Sequence, residues 1–275
     1  MSHLSDEIRM FRDDHGCKRF VGKNAIVTAG TMGIGLAMAH RLLSEGARVF
    51  ICSRKPKNVD DAVRELCAKY GKDACAGVPC NVSKPGDLEL FIEKAVAWFG
   101  PRIDALVSNV GVNPAATKAL DVDENSYDKV WDANVRSHWR LCKLAKPFLV
   151  SGSSILLISS NSAYAPSFPL SIYATSKLGL VGLGKALAQE LGAENIRCNV
   201  LAPGLVRTKM AEMLWKSDDV REGLKERSFL GRISDPEDMV GTAAFLLSND
   251  ARQVSGECIV VSVRVFFWGV CIADN

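Results

Sequence analysis

Short apolar runs alternate with stretches of helical spacing along most of this chain, and that alternation decides what it can fold into. The runs lie at residues 25–28, 48–52, 77–80, 105–108, 154–158, 197–201 and 257–263. Several are apolar at consecutive positions rather than at every second one, so both faces of such a strand must be covered. The segments between them, near 34–45, 59–70, 88–99, 127–149, 173–191 and 239–247, space their apolar residues as helices do. Strands and helices in this alternation predict an α/β fold: a doubly wound parallel sheet in a three-layer α/β/α arrangement. No linker, repeat or low-complexity segment interrupts the pattern, so a single domain is expected over residues 21–262. A polar lead-in (1–20) precedes it and an atypical tail (263–275) follows it.

With 275 residues, 48% of them hydrophobic and 24% charged, the chain has material for one sizeable core. Its net charge of +3 is too small to imply nucleic acid as a partner, and suits only a local site for an anionic group. The nine cysteines are scattered, with no CxxC and no Cys/His cluster at zinc spacing, so no metal centre is expected. Their odd number and apolar surroundings predict buried free thiols in a reducing compartment. The segment from Met1 to Arg19 lacks the apolar core of a signal peptide. No apolar run reaches the roughly 18 residues of a membrane span. The expectation is a cytoplasmic protein.

Thr28-Ala29-Gly30-Thr31-Met32-Gly33-Ile34-Gly35 joins the first strand to the first helix. Glycines at such a joint permit a tight turn and close approach of the backbone to a phosphate. The helix N-terminus adds free N–H groups and a positive dipole. Gly30, Thr31, Met32, Gly33, Ile34 and Gly35 are therefore the candidate cradle of a Rossmann-type dinucleotide site, a merely structural turn being the alternative. The second strand ends in Ser53-Arg54-Lys55. A site for NAD usually carries Asp or Glu there, to bind the ribose 2′-hydroxyl. A hydroxyl, a guanidinium and an ammonium suit a 2′-phosphate instead, so the expected cofactor is NADP(H).

A second constellation lies in the other half of the chain. Tyr173 and Lys177 are four residues apart and share one helix face. A nearby cation favours phenolate, so Lys177 is expected to lower the Tyr173 pKa toward working pH. Ser160 stands thirteen residues before Tyr173, after the apolar run 155–158. A hydroxyl at a strand end facing such a tyrosine can hold a carbonyl while the phenol protonates it. Taken alone, residues 173–177 fit an ordinary amphipathic surface helix equally well.

These residues together resemble the short-chain dehydrogenase/reductase family. The glycine string is similar to its TGxxxGxG motif, with Ala29 in place of the first glycine. Ser108-Asn109-Val110-Gly111 resembles its NNAG motif, and Asn134 stands at the family's active-site asparagine. Ser160, Tyr173 and Lys177 match its serine and YxxxK pair, and residues 199–208 resemble its N-x-x-x-PGxxxT segment. Several stretches further resemble the NADP-dependent carbonyl and retinal reductases of the member-4 type.

The resemblance implies a catalytic set of Asn134, Ser160, Tyr173 and Lys177. In it, Tyr173 is the general acid, Ser160 polarises the carbonyl and Lys177 binds the nicotinamide ribose. Asn134 holds a helix kink and a water, with a simple turn cap as the alternative. The resemblance also implies cofactor contacts from Tyr173 as well as Lys177, from Asn81 and Val82 near the adenine, from Asn109, Val110, Gly111, Pro203 and Gly204, and from Val206 and Thr208 at the nicotinamide. Asn81 departs from the Asp that the family often has there.

On the substrate side, Ser162, Phe168, Met210 and Trp215 join Ser160 and Tyr173 as candidates. With Tyr164, Met213 and Leu214 they suggest an apolar wall for a small apolar carbonyl or alcohol, or else a lid or subunit contact. The implied activity is reversible NADPH-dependent reduction of ketones, α-dicarbonyls or retinal-like aldehydes. The alternatives are a 3-oxoacyl reductase and a low-turnover cofactor-binding partner. A homo-oligomer, tetramer or dimer, is expected. After Val261 the chain departs from the family, and it ends without the peroxisomal Ser-Arg-Leu common in that subgroup. The tail reads equally as an interface segment, an alternative terminus or disordered chain.

Overall fold

A computed structural model describes residues 17–114, 117–166, 168–216 and 228–262. The expected tail, 263–275, and most of the lead-in lie outside the described residues. Seven strands form one parallel sheet: β1 (Asn24–Val27), β2 (Arg48–Ser53), β3 (Cys75–Pro79), β4 (Ile103–Ser108), β5 (Leu149–Ile158), β6 (Arg197–Pro203) and β7 (Cys258–Val261). Their spatial order is β3-β2-β1-β4-β5-β6-β7. The helices are α1 (Gly33–Ser44), α2 (Pro56–Tyr70), α3 (Pro85–Phe99), α4 (Glu124–Trp131), α5 (Ser137–Ala145), α6 (Ser171–Leu191) and α7 (Glu237–Leu247).

The strand alternation sorts side chains into two cores. Ala25, Val27, Val49 and Ile51 pack with Met38 and Leu42 of α1, Leu66 of α2 and Met239 and Leu246 of α7. Ile26, Phe50 and Cys52 point the other way, against Leu88 and Phe91 of α3, while Leu141 of α5 and Val181 of α6 complete that side. Phe91, Leu106 and Leu156 are among the fully buried side chains. Each such side chain contributes roughly 1.5–3 kcal/mol by leaving water. All eight described cysteines are free thiols, and Cys52, Cys75, Cys80, Cys142 and Cys198 are buried. Among the described residues no helix is long and apolar enough to cross a membrane.

One expected element differs. The helical segment near 127–149 divides into α4, a wider π turn over Asp132–Arg136, and α5. α5 ends at Ala145 and tightens into a 3₁₀ turn over Lys146–Phe148, where Pro147 lacks the N–H that would continue the helical ladder. Leu149 then begins β5 rather than ending a helix.

The chain builds outward from β1 to β3 and then returns to β4 beside β1. The C-terminal ends of β1 and β4 therefore diverge into opposite halves of the molecule, which opens a crevice in folds of this kind. The crevice floor is tied across. The Thr28 N–H donates to the Val107 carbonyl at 3.0 Å, and the Asn109 N–H to Thr28 Oγ1 at 3.0 Å.

Candidate active site

On the β1 side of the crevice the glycine string turns directly from strand into helix. A Cβ on Gly35 would lie 2.3 Å from the Ala29 carbonyl oxygen and 2.5 Å from Asn109 Nδ2, so only glycine fits. Gly33 has φ +54°, and the Thr208 methyl would sit 3.1 Å from a Cβ there. The substitution of Ala29 for glycine is accommodated in a left-handed conformation, φ 50°. Met32 precedes α1 without a side-chain cap, and the first turn of α1 holds no acidic residue. The N–H groups of that turn are thus left for an anion.

The Gly30 N–H donates to the Cys52 carbonyl at 3.1 Å, which sets the end of β2 beside this cradle. Arg54 and Lys55 are exposed there, and neither is ion-paired among the described residues. A pyrophosphate and a 2′-phosphate fit this chemistry: a cradle that a single methyl would fill, an uncapped helix start, and two uncommitted cations. Asn81 is engaged locally instead. Its Oδ1 accepts from the Ser83 N–H at 3.2 Å and its N–H donates to Asp87 Oδ2 at 2.9 Å, while Val82 is buried.

On the β4–β5 side, Lys177 enters the crevice from α6. It is only 2% exposed and has no carboxylate partner among the described residues. Its Nζ donates to the carbonyls of Ile158 at 2.9 Å and Val110 at 3.2 Å, joining the ends of β5 and β4. Burial with only these acceptors lowers its pKa to about 7. Lys177 Nζ lies 5.7 Å from the centre of the Tyr173 ring.

Part of Tyr173 reaches the surface, yet burial around its hydroxyl pushes its pKa up to about 12, a hydrogen bond with Ser160 working in the opposite direction. The sequence alone predicts a tyrosine acidified by its neighbouring lysine; here desolvation dominates, the Ser160 hydrogen bond alone opposes it, and the phenol stays protonated at neutral pH.

Ser159 and Ser160 take different roles. Ser159 is buried, and its Oγ donates to the Lys177 carbonyl at 2.7 Å, holding α6 against β5. Ser160 Oγ instead accepts from the N–H of Ser162 at 3.2 Å and from Ser162 Oγ at 2.9 Å. Asn134, fully buried in the π turn, accepts from the Val112 N–H at 2.8 Å. Its Nδ2 donates to the Val112 carbonyl at 3.0 Å and to Ser176 Oγ at 3.0 Å. Ser176 Oγ in turn donates to the Tyr173 carbonyl at 2.6 Å. Asn134 and Ser176 thereby lock the first turn of α6, which carries Tyr173, to the segment after β4.

The remaining candidates line the rim. The Gly204 N–H donates to the Val261 carbonyl at 2.9 Å, and a Cβ on Gly204 would meet Ser262 Oγ at 2.4 Å. Pro203 closes β6, and Val206 is buried and bridged to Ser234. Met210 is 54% exposed, with its Cε 3.7 Å from where a Cβ would stand on Gly111. Phe168 is exposed, and Trp215 Nε1 donates to the Thr208 carbonyl at 3.3 Å. Tyr164 is bonded to Cys258 of β7, so its hydroxyl is held by the sheet edge. The side chains of Met213 and Leu214 lie outside the described residues.

The family model described as enoyl-(acyl carrier protein) reductase matches residues 28–263. Tropinone reductase-like 3 of Erythroxylum coca is 44% identical over 245 residues, covering 89% of this chain and 93% of that one. Dehydrogenase/reductase SDR family member 4 of Homo sapiens is 43% identical over 242 residues, covering 87% and 86%. The chain belongs to the short-chain dehydrogenase/reductase family. Solved structures of this family agree in fold. The actinorhodin polyketide ketoreductase, as a variant with NADPH, superposes with a TM-score of 0.81 at 26% identity, covering 88% of this chain and 96% of that one. A short chain dehydrogenase from Burkholderia cenocepacia in complex with NADP gives 0.81 at 26% identity, covering 90% and 98%.

One group in this short-chain dehydrogenase/reductase escaped the sequence reading. His138 of α5 is fully buried, and its Nε2 lies 3.0 Å from the Val110 carbonyl that also receives Lys177. Burial, then the charge of Lys177, lowers its pKa to about 3. The imidazole is thus neutral and donates from Nε2. Its Nδ1 is buried with no partner among the described residues.

The unfolded chain takes up this proton near pH 6.5 and the folded one does not, so the stability His138 confers is complete above 6.5 and is lost as pH falls toward 3. Chemical unfolding at pH 7 and pH 5 should show wild type losing about 2 kcal/mol more than His138→Gln over that interval. The only sequence signal for this residue was its position four residues after Asn134, on the same helical face.

Proposed function

We propose that this protein is an NADPH-dependent carbonyl reductase that converts ketones, α-dicarbonyls or retinal-like aldehydes to alcohols, reversibly. The observation that carries the reading is the meeting of Ser160, Tyr173 and Lys177 at the ends of β4 and β5, across one crevice from the glycine cradle. Gly30 to Gly35 and the start of α1 would hold the pyrophosphate, and Ser53, Arg54 and Lys55 the 2′-phosphate. Asn109 to Gly111 and Pro203 to Thr208 would flank the nicotinamide, with Lys177 at its ribose. When bound, NADPH supplies the hydride to the carbonyl carbon.

The residues of the chain do the rest. Ser160 donates a hydrogen bond to the carbonyl oxygen and fixes its direction. Tyr173, protonated across neutral pH because its hydroxyl is buried, gives its proton to that oxygen as negative charge builds there. An alkoxide is far more basic than a buried phenolate, so the transfer runs downhill in the reductive direction. The ammonium form of Lys177 stabilises the phenolate left behind. Asn134 holds Val112 and, through Ser176, the first turn of α6, so Tyr173 and Lys177 keep their register. Phe168, Met210 and Trp215 give the rim an apolar character suited to bulky carbonyls.

The test is NADPH and NADH oxidation with a phenyl ketone, an α-dicarbonyl, a small charged keto acid and a 3-oxoacyl thioester. NADPH should be preferred, and the phenyl ketone should exceed the keto acid in kcat/KM. The description of the matching family model favours acyl substrates as a second reading, which dominance of the thioester would select. Arg54→Met should raise KM for NADPH about 10–100-fold, the loss of one charge-assisted hydrogen bond, and leave that for NADH unchanged. A wild-type preference for NADH would overturn the assignment of Ser53, Arg54 and Lys55.

A further inference from the structure

We propose that Ser162 is a positioning residue which makes the Ser160 hydroxyl a dedicated donor, aimed at Tyr173 and the substrate carbonyl. The inference rests on the carbonyl-reductase reading above and adds to it a residue that does not touch substrate.

A serine hydroxyl has one proton and two lone pairs. Ser160 precedes a short turn over Asn161–Ala163, with extended backbone at φ −159° and ψ 152°, and its oxygen caps that turn. Two donors reach the oxygen: the Ser162 N–H at 3.2 Å and Ser162 Oγ at 2.9 Å. Both lone pairs are then filled, and the proton of Ser160 is all it has left to offer. Ser162 is 6% exposed, so water does not compete for its hydroxyl. The influence of Ser160 on Tyr173 favours phenolate, in keeping with a hydroxyl that donates.

The hydroxyls therefore run in one direction, Ser162 to Ser160 to the reacting oxygens. No proton leaves either serine; the arrangement fixes orientation and strengthens the terminal donor by polarising it. Without the Ser162 hydroxyl, Ser160 could rotate to accept from Tyr173 instead, which would misdirect the acid. Ser162 and Ser160 are two residues apart, and only the tight turn lets their side chains meet. A sequence reading that places Ser162 among substrate contacts has no means of seeing this.

The experiment compares wild type, Ser162→Ala, Ser162→Thr and Tyr173→Phe with NADPH and an α-dicarbonyl. It reads kcat, both KM values, the kcat–pH profile and the melting temperature. Ser162→Ala keeps the backbone bond and removes the hydroxyl. Its kcat should fall about 3–10-fold, in line with one neutral hydrogen bond. Its KM for NADPH should not change, and its alkaline limb should move to higher pH because phenolate loses support. Ser162→Thr, which restores an Oγ, should recover both kcat and the limb.

A wild-type kcat and an unmoved limb in Ser162→Ala would overturn the inference. So would a kcat loss that Ser162→Thr fails to recover, or one that comes with a lowered melting temperature and an unmoved limb. Turnover by Tyr173→Phe at the wild-type rate would instead sink the underlying reading, and this inference with it. An inactive Tyr173→Phe beside a wild-type Ser162→Ala would remove this inference alone.

Discussion

Tyr173→Phe is expected to lower kcat for carbonyl reduction about 10²–10⁴-fold while leaving dinucleotide binding intact. The substitution removes one oxygen and keeps the ring, so α6, the Ser159 bond to the Lys177 carbonyl and the Lys177 bonds to Ile158 and Val110 have no cause to move. What is lost is the phenol of the cluster and the partner of the Ser160 hydroxyl. Steady-state kinetics with fluorescence titration of NADPH separates the two quantities. A fall in kcat together with an unchanged Kd supports Tyr173 as the acid. Loss of NADPH binding of the same size would instead assign Tyr173 to the cofactor site.

Gly35→Ala should be among the most damaging changes outside the catalytic cluster. The added methyl would stand 2.3 Å from a backbone oxygen, Ala29 O, and 2.5 Å from Asn109 Nδ2, and a backbone atom cannot rotate away. Overpacking of this kind costs roughly 1–3 kcal/mol or more, and each kcal/mol lowers Tm by about 2–4 °C in a domain of this size. The relief available is to shift residues 29–35, which displaces the N–H groups offered to the pyrophosphate. NADPH affinity should therefore drop by more than the stability loss alone explains. Gly86→Ala in α3 is the control. Nothing lies within 4 Å of its added Cβ, so a gain of up to about 1 kcal/mol is expected from helix propensity. Equal NADPH affinity in Gly35→Ala and wild type would remove the glycine cradle from the account.

All seven strands were legible in order, because each buried strand of a parallel sheet is apolar over a short run bounded by turn residues. The split at Asp132–Arg136 was not, since an apolar helical spacing continues smoothly through one widened turn. Leu149 reads as the end of a helix for a related reason: a short apolar stretch after a helix suits either element, and only Pro147 marks the change.

The catalytic candidates were legible through spacing. Ser160, Tyr173 and Lys177 come together because one strand end and one helix face each other across a loop of fixed length. Their electrostatics were not legible. The sequence shows a lysine beside a tyrosine, but not that both are desolvated, and that reverses the expected direction for Tyr173. Nor could it distinguish Ser159, which faces α6, from Ser160 by anything except spacing. Ser176 and His138 act on Tyr173 and Lys177 through backbone carbonyls, a kind of contact that leaves no residue-type signature.

The most direct test of the central claim follows the hydride. NADPH carrying deuterium at its transferable position is incubated with the protein and the carbonyl panel, and the products are examined by mass spectrometry. The account predicts alcohol bearing one deuterium on the carbinol carbon, formed with NADPH in preference to NADH and abolished in Tyr173→Phe. Alcohol formed without deuterium, or no NADPH-dependent alcohol from any carbonyl tested, would contradict it.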